Sequence, residues 1–244
     1  MAITRNTDGF STVVASDPLG NFAMLDPTKW AVFYDDFLAY DVTQLIGGNP
    51  YLFTQTNCVD TVVGPTGVLL LTCGGADNDL GQLQTVTAPF TIVAGQKAFF
   101  EARVRVDRAT GTIGQEEIVI GMTGLETGAS FTAADGLSVA FNEGIAFTSY
   151  DGAATWNAVA RVGDVESVDA AITTYADLTF QTLSWYYDGT DIRFYVNNSL
   201  EATLTTGEPT LVIAPVVFIK AGEAQAKVLH VDYVLAAFER VATP

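Results

Sequence analysis

The sequence predicts an all-β fold, an antiparallel β-sandwich. Three observations predict it. Apolar and polar residues alternate over short runs. Gly, Asn, Asp and Pro clusters separate those runs at intervals of about eight to twelve residues. No stretch carries the i, i+3, i+4 apolar spacing of an amphipathic helix. Roughly twelve to fourteen strands are expected on this pattern, with no repeat of solenoid or propeller period.

The clearest element is Thr182–Leu204. Leu183, Trp185 and Tyr187 alternate with Thr182, Ser184 and Tyr186, and Asp188-Gly189-Thr190-Asp191 makes a turn. Ile192, Phe194 and Val196 then alternate with Arg193 and Tyr195, and Asn197-Asn198 turns the chain again. This is an antiparallel meander with one buried face. Its alternation assigns Trp185, Tyr187, Phe194 and Val196 to the core and leaves Tyr186 and Tyr195 as the surface aromatics.

Taken in order, residues 1–29 hold no period. Their apolar residues Phe10, Val13, Val14, Phe22, Met24 and Leu25 are scattered among Asn, Thr, Ser, Asp and Pro. We read this stretch as an extended N-terminal arm lying on its own domain or on a neighbour, with these apolar residues as the candidate partner-binding anchors. Residues 30–244 are read as a single sandwich domain. Trp30–Phe37 is aromatic-rich and reads as a strand into a turn, where Asp35 or Asp36 satisfies backbone donors. Tyr51–Cys58 and Val68–Cys73 read as a hairpin turned at Gly64-Pro65-Thr66-Gly67, which sets Cys58 opposite Cys73. Two readings of these cysteines stand, a pair of free core thiols and a disulfide. Ala98–Asp107 presents Phe100, Ala102, Val104 and Val106 on one face and Phe99, Glu101, Arg103 and Arg105 on the other. Further strands are expected at Gln82–Val86, Glu117–Met122, Gly136–Asn142, Ile145–Ser149, Trp156–Val162, Leu211–Ile219 and Val228–Phe238.

The chain has 28 Asp and Glu against 11 Lys and Arg, a net charge of −17 and a pI near 4.1. Phosphate backbones and anionic membrane surfaces repel such a chain, so neither nucleic acid nor membrane is an expected partner. Charged residues are only 16% while 49% are hydrophobic, which fits either a deep core or a surface covered by neighbours. MAITRNTDGF has no apolar h-region, so synthesis in a cytoplasm is expected.

Four segments carry a resemblance: Phe33-Tyr34-Asp35-Asp36-Phe37, Phe99–Arg105, the block Trp185–Asn198, and Val231-Asp232-Tyr233-Val234. In this order, from about Trp30 to Arg240, they resemble the concanavalin A-like, laminin-G-like jelly roll. Within that fold, the arm and the strong acidity are similar to capsid decoration, or cement, proteins of tailed phages. The resemblance implies a non-enzymatic virion protein on the capsid exterior. Its partners would be the major capsid protein and copies of itself, as a homotrimer, with no cofactor. The alternative is a lectin-like module of a virion appendage that binds a carbohydrate or receptor.

Glycanases of this fold set alternate carboxylates on one face of a strand, about 5–5.5 Å apart. The nearest string here, Asp164-Val165-Glu166-Ser167-Val168-Asp169, is inverted and is read as a solvated acidic loop. Glu116-Glu117 and Asp35-Asp36 are adjacent and point to opposite faces, so neither is a dyad. His230, the only histidine, is expected to pair along its strand with Asp232. No G-x-S-x-G elbow accompanies it. Asp77-Asn78-Asp79 supplies hard oxygen atoms suited to calcium but lacks the rest of an EF-hand loop, and is read as a polar turn. Asn197-Asn198-Ser199 matches a glycosylation sequon and is read as a turn.

Overall fold

The computed structural model describes residues 28–38, 51–63, 67–108, 111–126, 131, 139–163 and 165–240. Among them are fifteen strands and no helix. These are β1 (Trp30–Asp35), β2 (Tyr51–Thr56), β3 (Cys58–Val63), β4 (Val68–Cys73), β5 (Leu80–Thr85), β6 (Ala98–Asp107), β7 (Glu116–Thr123) and β8 (Gly144–Ser149). They continue with β9 (Thr155–Val162), β10 (Val165–Thr174), β11 (Gln181–Tyr187), β12 (Ile192–Val196), β13 (Ser199–Leu204), β14 (Ala214–Ala221) and β15 (Lys227–Glu239).

One sheet has the spatial order β13-β12-β11-β6-β15-β4-β3, with β1 added to β15 as its eighth strand. The other runs β10-β9-β8-β7-β14-β5-β2. All pairs are antiparallel. Strands β1 and β4 lie end to end along one edge of β15: β1 takes Val234 to Glu239 and β4 takes Lys227 to Val231.

The core lies between the sheets. Phe100 on β6 stands opposite Trp185 on β11, and their rings stack at 6.0 Å. Phe147 on β8 meets Phe194 on β12 edge to face at 5.1 Å, joining the two sheets. All four are essentially inaccessible to solvent. Each such burial contributes about 2–3 kcal/mol. The meander therefore takes the form its alternation predicts, and Tyr186 and Tyr195 are half-buried on its other face. The Asn197-Asn198 turn has positive φ at both residues (50° and 67°), as a two-residue hairpin requires.

Three expectations need correction. Tyr51–Cys58 is not one strand. The backbone turns at Asn57 (φ 50°), so β2 pairs with β5 in one sheet and β3 pairs with β4 in the other. The Cys58–Cys73 register survives, because it depends on β3 alone, and the pair is a disulfide. The expected acidic loop through Asp169 is instead strand β10, an edge strand whose ladder is broken by a bulge between Asp169 and Thr173. Its alternation is blurred because both faces are largely exposed. Finally, the expected strand at Gly136–Asn142 falls partly on residues outside the described ones. Of its described part, only Val139 is bridged, while Ala140 N–H donates to Phe131 O.

Candidate functional site

Both outer faces of the sandwich and one of its ends carry clusters of polar groups. On the seven-stranded sheet, the outward row from β5 through β14 to β7 is Leu80, Lys220, Glu117, and the next is Gln82, Phe218, Val119. This face is covered. Phe131, Val139 and Phe141, from the β7–β8 connection, pack with Val119, Ala146, Val159, Val216 and Phe218 into a second buried cluster. The Phe131 and Phe218 rings are 5.3 Å apart. Gln82 Nε2 donates to Glu126 O at 2.8 Å, and Gln84 Nε2 to Gly124 O at 2.8 Å. Arg161 donates to Val139 O at 2.6 Å. The side chains of β5 and β9 thus hold the covering segment in place. Beneath it, Lys220 Nζ lies 2.8 Å from Glu117 Oε1, both buried.

At one end, between the sheets, Glu116 and Lys227 are fully buried, with Nζ 3.5 Å from Oε2. Tyr175 O–H donates to Glu116 Oε1 at 2.8 Å. Burial pushes the Tyr175 hydroxyl far above its ordinary range, so it acts as a donor at any physiological pH. Glu116 and Glu117 do face opposite ways, and each faces its own lysine.

The outer face of the eight-stranded sheet divides into two halves. The half made by β6, β11 and the middle of β15 is charged and internally paired. Arg103 pairs with Asp232, and Tyr233 O–H donates to Glu101 Oε1 at 2.8 Å. Both Arg103 and Arg105 lie over the Phe180 ring, at 4.3 and 4.9 Å. His230 does not pair with Asp232. A bulge between Val231 and Tyr233 shifts Asp232 toward Arg103, and His230 meets Arg105 instead (Nη2 to Nδ1 3.0 Å) with Asp107 3.6 Å from Nε2. Burial, then the Arg105 charge, pushes the imidazole below its ordinary range. The bulge leaves no trace in strict alternation, which is why alternation points to the wrong partner.

The other half, made by β1, β3 and β4, turns mainly uncharged side chains outward, with Asp35, Asp36 and Asp232 near Tyr34 at its border. Val32, Tyr34, Val59 and Val63 are exposed there, at 46%, 57%, 56% and 51%. Half-buried Val68, Leu70 and Leu235 fill the spaces between them.

No protein-family model matches the sequence, and no curated protein matches it. Solved structures do match. Peanut lectin superposes with a TM-score of 0.59 at 12% identity, covering 88% of this chain and 100% of that one. The carbohydrate recognition domain of Emp47p gives 0.59 at 13% identity, covering 88% and 99%. An endo-1,3-beta-glucanase from Streptomyces sioyaensis gives 0.57 at 16%, covering 87% and 97%. This chain has the concanavalin A-like jelly-roll fold. At these identities the likeness speaks for the fold alone.

On this jelly roll the sequence-predicted sites are dispersed. Phe10, Val13, Val14, Phe22, Met24 and Leu25 lie outside the described residues, as does Asp164. Glu166 lies 4.0 Å from Arg161. Asp79 is buried and accepts from Asn57 Nδ2 at 3.0 Å and from Ala76 N–H at 3.0 Å, so it anchors the turn. No group of three or more His, Cys, Asp or Glu suited to a metal occurs among the described residues. Asp35 and Asp36 accept from the Phe37 and Leu38 amides, as expected of a turn. All three tryptophans are buried, so none offers a sugar platform. Sequence reasoning missed the lysine partners of Glu116 and Glu117, because they arrive from β14 and β15, a hundred residues on.

Proposed function

We propose that this chain is a non-enzymatic structural protein of a tailed-phage virion. It stands on the capsid exterior as an oligomer and stabilises the shell through contacts with its own copies and with the major capsid protein. The observation that carries the reading is the exposed apolar half of the eight-stranded sheet. In a chain of net charge −17, contact between copies of like charge costs least where local charge is sparse. Exposed Val32, Tyr34, Val59 and Val63 occupy such a place. Burial there contributes about 25 cal/mol per Å², repeated at every contact of a shell. The acidity fits an exterior position, away from packaged nucleic acid. The arm of residues 1–29 reaches across to a neighbour in this reading.

The test is shell association. Deleting residues 2–28 lowers occupancy on shells, and Val59→Asp with Val63→Asp lowers both occupancy and oligomer size in solution. Unchanged occupancy and size in both variants overturn the proposal. A second reading, a carbohydrate-binding module, draws on the lectin likeness and on exposed Tyr34, whose ring is 6.2 Å from that of Tyr233. Binding to a glycan array that is lost in Tyr34→Ala favours it instead.

A further inference from the structure

Lys227, the first residue of β15, has no accessible surface. Its Nζ donates to Thr112 O at 2.6 Å and to Glu223 Oε1 at 2.7 Å, and stands 3.5 Å from Glu116 Oε2. Glu116 belongs to β7, in the opposite sheet. Its two oxygens have different surroundings. Oε1 accepts from the Gly114 amide at 2.8 Å and from the Tyr175 hydroxyl at 2.8 Å. That hydroxyl is oriented by Ser149 Oγ at 2.9 Å. Oε2 has no hydrogen-bond partner among the described residues and faces the amine. Burial pushes the Glu116 carboxyl above its usual range, toward the protonated acid. Glu223 is held below its usual range by its bond with Lys227, so it is a carboxylate. Gly111, at φ 91°, leaves the space Glu223 occupies, since a Cβ there would collide with Glu223 Oε1.

These are the parts of an acyl transfer: an amine, a carboxyl with one oxygen held by two donors, and a base in contact with the amine. We propose that Lys227 Nζ and Glu116 Cδ condense into an isopeptide bond that ties β15 to β7 across the core. Glu223 takes a proton from the ammonium. The freed lone pair attacks Cδ of the protonated carboxyl. Oε1 carries the negative charge, held by Gly114 N–H and Tyr175 O–H. Collapse of the intermediate breaks the Cδ–Oε2 bond, and the hydroxyl leaves as water with the proton from Glu223. The nitrogen then gives up its second proton, which Glu223 accepts and passes to solvent through its partly exposed side chain. One N–C bond forms, one C–O bond breaks, and no oxidant or cofactor enters. The dry setting favours the condensation, because a buried ammonium that is costly to hold becomes part of a neutral amide.

The Lys220–Glu117 pair is an internal contrast. It is closer, at 2.8 Å against 3.5 Å, and also buried. However, no amide or hydroxyl among the described residues donates to either oxygen of Glu117, so nothing there stabilises an oxyanion. It stays an ion pair.

The experiment is mass spectrometry of the full chain, denatured and reduced. The expected mass lies one water below that of the sequence after allowance for initiator methionine, and Lys227→Met returns the full mass. A proteolytic digest contains a branched peptide joining residues 116 and 227. An intact mass equal to that of the sequence overturns the proposal. So does a branch at residues 117 and 220, or a water loss found only in linear peptides.

Discussion

His230 occupies a place where protonation is costly. Arg105 and Asp107 from β6 face it, while Leu70 stands opposite on β4. Its pKa is lowered from 6.5 in the folded chain, by burial first and by Arg105 second. Between the two values the unfolded chain binds the extra proton, so stability rises with pH. The contribution is complete above pH 6.5 and declines as pH falls below it, with a slope of at most about 1.4 kcal/mol per pH unit. Urea midpoints measured from pH 5 to 8 should show this decline, and His230→Gln should flatten it relative to the parent chain. A glycine decides packing in the other sheet. A Cβ on Gly121 would stand 2.6 Å from the Cα of Ala146, its partner on β8. Gly121→Ala should therefore cost about 2 kcal/mol or more in thermal or urea unfolding. At this scale the burial of Trp185 or Phe194 was legible, because alternation is local. The partner of His230 was not, because one bulged residue changes which neighbour a side chain meets.

At the scale of elements, the Cys58–Cys73 bridge fastens an edge strand. Among the described residues strand β3 pairs only with β4, just after the chain has crossed between sheets at Asn57. The disulfide closes a loop with a sequence separation of 15, for which chain entropy gives roughly 3 kcal/mol. Cys58→Ser with Cys73→Ser should lower stability by about 2–3 kcal/mol in urea titrations. Reductant should shift the parent chain toward the variant and leave the variant unchanged. The register that joins these cysteines was legible from a single turn. The sheet crossing was not, since Tyr51–Cys58 reads as one apolar-polar run and only a positive φ at Asn57 divides it. Strand β10 was missed for a related reason: an edge strand with both faces largely exposed has no apolar side to alternate with.

For the whole molecule, the balance lies between a net charge of −17 and an exposed apolar area on one sheet. Self-association through that area is opposed by long-range repulsion that salt screens within about 8–10 Å at physiological ionic strength. Oligomer size measured by light scattering should therefore grow from low salt to about 0.5 M salt, and Val59→Asp with Val63→Asp should abolish the growth. The sequence by itself determined the sandwich. Period-two alternation and turn residues are properties of neighbouring positions, and burial of one strand face follows from them. It also determined the acidity, and with it the classes of partner that repel. Only the tertiary structure decided which side chains share a site. Strands distant in the chain bring Lys220 to Glu117, Lys227 to Glu116 and Arg105 to His230, and set β1 beside β3 and β4 on one face. Those meetings depend on strand order, register and bulges, which arise from the packing of the whole chain and have no local signature.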